Sequence, residues 1–304
     1  MKHCAFLSMD GLEDFVCYDH LLHAPLAERG WVVDTIPWRR QGVDWNRYDA
    51  VLIRSPWDYQ QDADAFLKLL EDIDASSARL ENALPLVRWN IRKDYLRDLE
   101  QAGVTIVPTQ WAETLDGDWA RDAIEALGQP ETLILKPQVS ANADDTYRIA
   151  IADWPNQVAE LHSRFAGRPC MLQPYLPVIE MEGEFSLFYF GGRYSHAILK
   201  TPESGDFRVQ EEHGGRLRAI EPEPALKAAA DQVLEAITRL QQLPLYARVD
   251  LVRDKERFLL MEVELIEPSL YFNMDKQSAD RFAEAFVSLM EQAGRGAVGS
   301  GLRA

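Results

Sequence analysis

The chain has 304 residues, 47% of them hydrophobic and 27% charged, an ordinary globular composition with room for two or three subdomains and a sizeable core. A formal net charge of −17 argues against a broad nucleic-acid or anionic-membrane surface, so any polyanionic ligand has to be gripped locally. Cys4, Cys17 and Cys170 are too scattered for a disulfide framework or a zinc site, and neither a signal peptide nor a run of ~20 apolar residues is in view. The expected setting is the cytoplasm.

The opening segment alternates strand and helix. Cys4 to Ser8 reads as a strand, Tyr18 to Arg29 as a helix stopped by Gly30, and Val32 to Ile36 and Ala50 to Ile53 as further buried strands. This alternation predicts a mainly parallel sheet. Arg54, Ser55, Pro56, Trp57, Asp58 and Tyr59 follow a strand end, where ligand contacts gather in open α/β sheets; the alternative is a turn that packs Trp57 on the sheet. Asp62 to Ile73 carries apolar residues at helical spacing. Pro85 to Trp89 leads into a second helix with Asn90 as its N-cap, Tyr95, Leu96 and Leu99 as its stripe, and Gly103 as its stop. Lys93 in the first turns opposes the helix dipole, so it is either solvated or compensated by an anion.

The pattern shifts at Val104. A helix over Ala120 to Leu127 precedes the strand Thr132 to Leu135, which ends in Lys136 and Pro137; Gln138 to Asp145 reads as a mobile loop. Tyr147 to Ile151, Gln157 to Phe165 and Cys170 to Gln173 read as strand, helix and strand, the last ending at Pro174, Tyr175, Leu176. The remainder is richer in strands: a hairpin over Phe185 to Phe190 and Tyr194 to Leu199, a polar connection from Lys200 to Arg216, a helix from Pro224 to Leu243 and a closing helix from Ser278 to Ala293. The tail from Gly294 onward is expected to be disordered. Its Gly294, Gly296 and Gly299 match a dinucleotide fingerprint only by accident, since no strand precedes them.

Two apolar runs, Ala247 to Val252 and Phe258 to Val263, flank a polar turn and predict a hairpin. Period-two alternation puts Arg248 and Asp250 on one face and Glu262 and Glu264 on one face of the partner strand. If the faces coincide, carboxylates converge beside one guanidinium. Such a cluster needs a cation, and oxygen-only ligands suit Mg2+. A solvated acidic edge is the competing reading.

The order Lys93, Lys136, Gln173 to Leu176, Glu184, Lys200, Arg208, then R-x-D (Arg248, Asp250) and E-x-E (Glu262, Glu264) followed by E-P-S ending at Ser269 resembles the ATP-grasp family, in its glutathione synthetase-like branch that includes the D-cycloserine-forming ligase. The resemblance implies an α/β chain, α+β in its C-terminal parts, in three lobes: an N-terminal α/β substrate domain (1–103), a central lobe (104–176) and a C-terminal lobe (177–293), with ATP between the last two. It implies Lys93 and Lys136 on the phosphates, Gln173 with the backbone of Tyr175 and Leu176 on adenine, Glu184 on ribose and Lys200 on the terminal phosphates. Asp250, Glu262 and Glu264 would hold two Mg2+ ions, for which Mn2+ could substitute. Arg248 and Arg208 would meet the acylphosphate or the substrate, with Lys200 the third catalytic group. Arg54, Trp57, Asp58 and Ser269 would face a small amino acid or carboxylate substrate. For Arg248 and Arg208 the alternative is a surface ion pair.

The implied reaction is ATP-dependent ligation or cyclisation through an acylphosphate. A phosphotransferase or a non-catalytic ATP-binding regulatory protein on the same fold stays open, and a homodimer is compatible with the family. The chain departs from the family in Glu264, where Asn is frequent, and in a phosphate-covering loop (Gln138 to Asp145) without glycine.

Overall fold

A computed structural model of the protein describes residues 1–13, 15–140, 144–203, 208, 209, 211 and 214–300. The N-terminal strands are β1 (Lys2–Ser8), β2 (Trp31–Pro37), β3 (Ala50–Ser55) and β4 (Arg79–Glu81), in the order β2-β1-β3-β4 and parallel throughout. Helices over Ala63–Asp74 and His23–Glu28 connect them. The expected helix from Tyr18 is instead a 3-10 turn, Asp19–Leu22, followed by a short α-helix. Pro25 explains the division, because proline has no N–H to give and sits well only in a first turn.

The central strands β5 (Gln110–Ala112), β6 (Thr132–Pro137), β7 (Tyr147–Ala150) and β8 (Cys170–Pro174) form an antiparallel sheet ordered β5-β8-β6-β7. Along β6, Leu133 and Leu135 are buried in the lobe's own core with Phe165 and Leu172. Period two therefore turns Ile134 and Lys136 to the other face.

The last sheet contains β9 (Glu184–Phe190), β10 (Arg193–Thr201), β11 (Arg216–Ile220), β12 (Tyr246–Asp254) and β13 (Arg257–Glu264), antiparallel in the order β11-β10-β9-β12-β13. One face packs on the Pro224–Leu240 helix through Leu226, Val233 and Ile237.

Three expectations change. Residues 84–101 hold two short helices, Leu84–Asn90 and Tyr95–Gln101, rather than one. Asn90 ends the first instead of capping the second: its amide donates to Val263 O (3.0 Å) and accepts from Leu265 N (3.0 Å), so a buried strand outcompetes a local cap. The loop after β6 starts pinned, with Gln138 and Ser140 buried and the Gln138 side chain bonded to Ala112 O and Cys170 O at 3.1 Å each. Residues 141–143 of that loop lie outside the described residues. The last helix runs Ser278–Ser300, beyond the predicted stop at Ala293, since an established helix extends at one bond per added residue despite its glycines; residues 301–304 lie outside the described residues.

The lobes interlock. Leu86, Tyr95, Leu96 and Leu99, early in sequence, belong to the core of the C-terminal sheet, and Phe282 and Phe286 of the last helix join Phe6 and Trp31 of the N-terminal sheet in another. Asn82, fully buried, ties the two sheets: its amide donates to Tyr246 O (2.9 Å) and Leu265 O (2.7 Å) and accepts from Leu245 N (2.7 Å). Asn82→Ala would leave these backbone groups unpaired at about 1–3 kcal/mol each. A thermal melt should fall by at least several degrees; an unchanged midpoint would refute the role of Asn82 as a tie.

Candidate active site

A cleft lies between the central and C-terminal sheets, with the N-terminal lobe closing one end; its empty volume, open mouth included, is about 1640 Å³. Its floor is one face of the C-terminal sheet, and register decides what stands there. Lys200 on β10 faces Glu184 on β9, Ser186 on β9 faces Asp250 on β12, and across the next gap Asp250 pairs with Glu262 and Arg248 with Glu264 on β13. Cation meets acid across the strands at Lys200–Glu184 and Arg248–Glu264, whereas Asp250 faces a second acid, Glu262. Lys200 contacts Glu184 and stands 3.4 Å from Asp250. Arg248 donates to both oxygens of Asp250 (2.9 to 3.1 Å) and also to Glu264. Ser186 donates to Asp250.

Glycine at 183 permits this close packing. With φ near +114°, a Cβ there would lie 2.4 Å from Lys200 O, so no side chain fits beside the first residue of β9. Between Asp250 and Leu251 the register slips, and Met261 is left unpaired as a bulge. Met261 lines the cleft with Val107, Leu176 and Ile179, an apolar pocket beside Gln173.

The opposite wall carries the lysines. Lys136, on the outward face of β6, lines the cleft. Lys93 sits in the turn before the Tyr95–Gln101 helix, where its N–H donates to Gln138 O (2.8 Å) and its ammonium to Ser140 O (3.0 Å) and Glu262. The loop after β6 is therefore fixed to the turn that presents Lys93. At the far end, Tyr175 N–H is taken by Thr132 O (2.9 Å) and Leu176 O by Ile179 N (3.1 Å). Among the described residues no such bond takes the Tyr175 carbonyl or the Leu176 N–H, an acceptor and a donor side by side. Gln173 donates to Thr109 Oγ1 at 2.8 Å.

Of the N-terminal candidates, Trp57 lines the cleft, whereas Arg54 and Asp58 are engaged elsewhere. Arg54, 1% exposed, binds Asp19 (2.9 Å) and Pro268 O (3.2 Å) and lies over the Tyr246 ring. Asp58 accepts from Trp38 Nε1 (2.6 Å) and pairs with Arg39 (3.1 Å). Both brace the loops around the cleft, because each found a partner from a distant segment that a strand-end argument does not see. Arg208 and Ser269 line the cleft. Tyr59, at the end of the expected contact segment, lines it as well, and so do Glu267, Tyr271 and Met261, which sequence reasoning passed over. The signal for Glu267 was its place in E-P-S; nothing local marked Met261.

Electrostatics separates the acids. Burial pushes Asp250 and Glu262 up, but Arg248 with Lys200, and Lys93 with Lys136, more than offset this and hold both below the usual carboxylate range. Glu264 is pushed up to about 7 by burial and by Glu262 and Asp250, against the pull of Arg248. Burial, with Lys93 adding to it, pushes Lys136 down to about 8 despite Glu262.

Asp250, Glu262 and Glu264 offer only oxygen donors, which fit a hard divalent cation. Each is turned to a lysine or arginine, and among the described residues no three acids, histidines or cysteines surround a common point. Glu262 and Glu264 retain 28% and 23% side-chain exposure, so both have room to swing toward an entering ion.

Residues 4–82 match the family model described as D-cycloserine synthetase DcsG, N-terminal domain. The chain is 32% identical over 281 residues to the cycloserine biosynthesis protein DcsG of Streptomyces lavendulae, covering 86% of this chain and 90% of that one. The crystal structure of D-cycloserine synthetase DcsG superposes with a TM-score of 0.86 at 29% identity, covering 95% and 99%. A glutathione synthetase of Ralstonia nicotianae is 25% identical over 279 residues, 88% of this chain and 79% of that one. The fold alone is shared with a D-alanine–D-alanine ligase of Bacillus anthracis complexed with ATP, at a TM-score of 0.68 and 14% identity, covering 96% and 98%.

The depressed Lys136 has a consequence for stability. Its folded value, about 8, lies below the ordinary 10.5, so between these two pH values the unfolded chain holds more protons and stability rises with pH. At pH 7 the buried charge is a liability. Lys136→Met should raise the melting temperature at pH 7 by a few degrees, with the gain shrinking toward pH 10.5; a variant that melts lower at pH 7 would contradict the assigned environment.

Proposed function

Because the chain belongs to the ATP-grasp ligases, and within them to the family of the cycloserine biosynthesis protein DcsG, we propose that it activates the carboxylate of a small amino acid derivative with ATP and joins that carbonyl to an amine. The observation that carries this reading is the one cleft in which Lys93 and Lys136 face a floor that holds Lys200, Asp250, Glu262 and Glu264. Three cations suit a polyphosphate, and the acids suit the metal ion that accompanies it.

A substrate carboxylate oxygen attacks the γ phosphorus of ATP, and the bond from that phosphorus to the β,γ-bridging oxygen breaks, releasing ADP and leaving an acylphosphate. An uncharged amine then adds to the acyl carbon. The carbon–oxygen bond to phosphate breaks, phosphate leaves, and the nitrogen loses a proton to give the amide. The protein's task is positioning and neutralisation of charge rather than nucleophilic attack.

In this reading Lys93 and Lys136 hold the α and β phosphates and Lys200 the terminal ones. Glu184 accepts the ribose hydroxyls. The Tyr175 carbonyl and Leu176 N–H meet the edge of adenine, whose faces lie against Met261, Val107 and Ile179, with Gln173 beside it. Arg248 stabilises the oxyanion formed when the amine adds, where a preorganised donor contributes most, and Arg208 closes over the acylphosphate. Asp250, Glu262 and Glu264 would hold two Mg2+ ions, replaceable by Mn2+ on the same oxygen chemistry; bound there, they would screen the phosphate charges from one another. Trp57 and Ser269 contact the substrate.

Ring closure within one substrate is favoured over joining two. The segment 4–82, matched to the N-terminal domain of a D-cycloserine synthetase, contains Trp57 and Tyr59, which line the cleft. A screen of amino acids and small carboxylates, singly and in pairs, for ATP-dependent phosphate release tests this. Release with one compound and a dehydrated product supports cyclisation, and a required pair supports ligation. A stable phosphorylated product without free phosphate would indicate a phosphotransferase, and ATP binding without turnover a regulatory protein. Glu262→Gln, which keeps the partner of Lys93, should lower Mg2+-dependent turnover by about 10²–10³-fold while the melting profile stays intact. Wild-type turnover in that variant would remove Glu262 from the metal set.

A further inference from the structure

Each acid on the sheet floor has a cation within ion-pair distance: Glu184 and Asp250 share Lys200, Glu262 has Lys93, and Glu264 has Arg248. Glu267 differs. It is 7% exposed and lines the cleft, the Tyr59 hydroxyl lies beside it, and it forms no ion pair among the described residues. Its backbone is held in place, with Glu267 O accepting from Trp57 Nε1 (2.9 Å) and Pro268 O from Arg54 (3.2 Å). The acid is therefore carried on a braced segment where the substrate-binding lobe meets the metal-binding floor.

A buried carboxylate without a countercharge is unfavourable, and Glu264 nearby makes it more so. Burial, with Glu264 adding to it, pushes Glu267 up to about 8. An entering cation would offset both effects. The neighbours favour an organic one: Trp57 and Tyr271 line the same cleft, and aromatic rings beside a carboxylate suit an ammonium on a carbon stem. Polyphosphate, by contrast, is served by the lysines on the other wall.

We propose that Glu267, oriented by Tyr59 and walled by Trp57 and Tyr271, receives the α-ammonium group of the substrate and thereby selects α-amino acid derivatives over the corresponding plain carboxylates. This rests on the carboxylate-activating reading above and adds to it a specificity determinant. The ammonium it holds is a spectator, since the attacking nitrogen has to be uncharged.

Two probes test it: D-cycloserine, the compound for which the related synthetase is named, and isoxazolidin-3-one, the same ring without the amine. Affinity is measured by calorimetry at pH 7 in the presence of ADP and Mg2+, on the wild type, Glu267→Gln and Tyr59→Phe, with ADP binding measured alone as the check that each variant is folded. The wild type should prefer D-cycloserine by about tenfold or more, the size expected for a charge-assisted bond. Glu267→Gln should bind both rings alike, and Tyr59→Phe should reduce the preference by a few-fold. A preference that survives in Glu267→Gln overturns the assignment, as does equal binding of the two rings by the wild type. So does an effect of Glu267→Gln confined to the Mg2+ dependence of ADP binding, which would make it a metal ligand. If the wild type binds ADP but neither ring, the substrate class proposed above fails and this assignment fails with it. If ADP itself is not bound, it is the nucleotide reading that falls, taking the assignment with it.

Discussion

The cross-strand pairing of opposite charges on the face of the C-terminal sheet is the interaction on which the rest depends. Lys200, Glu184, Asp250, Arg248, Glu262 and Glu264 occupy one continuous face because four antiparallel strands hold a fixed register. Buried singly, any of these groups would be costly; buried together, each acid has a cation within reach, that of Glu262 being Lys93 from outside the sheet. The arrangement also suits exchange of partners. A polyphosphate can replace carboxylates around the lysines, and a metal ion can replace lysine and arginine around the carboxylates, so an empty site and a filled one can both be neutralised.

The sheet alone does not make the cleft. Lys93 reaches it from a turn of the N-terminal part of the chain, and Lys136 from the end of a central strand, and the two are joined by the bonds from Lys93 to Gln138 and Ser140. Asn82 and Tyr246 tie the N-terminal sheet to the floor, with the Tyr246 hydroxyl 2.6 Å from Ile53 O and 3.0 Å from Ile266 O, its one hydrogen shared between the two carbonyls. Arg54 fastens the Asp19 segment and the Pro268 carbonyl to the same junction. Arg54 and Asp58, expected to face the substrate, thus work as braces, and of that segment it is Trp57 and Tyr59 that line the cleft.

The departures from the family pattern have physical counterparts. The added charge of Glu264 is answered by Arg248 and partly suppressed by burial among Asp250 and Glu262. The loop without glycine begins as a fixed segment, its first residue, Gln138, bonded to the β5 and β8 backbone. Stiffness there replaces the freedom that glycines would give.

Much of this was legible locally. Period-two alternation put Arg248 with Asp250 and Glu262 with Glu264, alternating strand and helix gave the parallel N-terminal sheet, and apolar stripes gave the helices over Ala63–Asp74 and Pro224–Leu240, because these features follow from backbone geometry and nearest neighbours along the chain. What lay out of reach depends on partners distant in sequence: Asn90 and Asn82 bonding to strands more than 160 residues on, Arg54 and Asp58 turning to braces, and the bulge at Met261. Glu267 is the plainest case. The sequence determined that an acid stands there, but only tertiary packing decided that it would be buried beside Tyr59 with no ion pair among the described residues, since the charge around a buried group is set by whatever the whole fold brings to it.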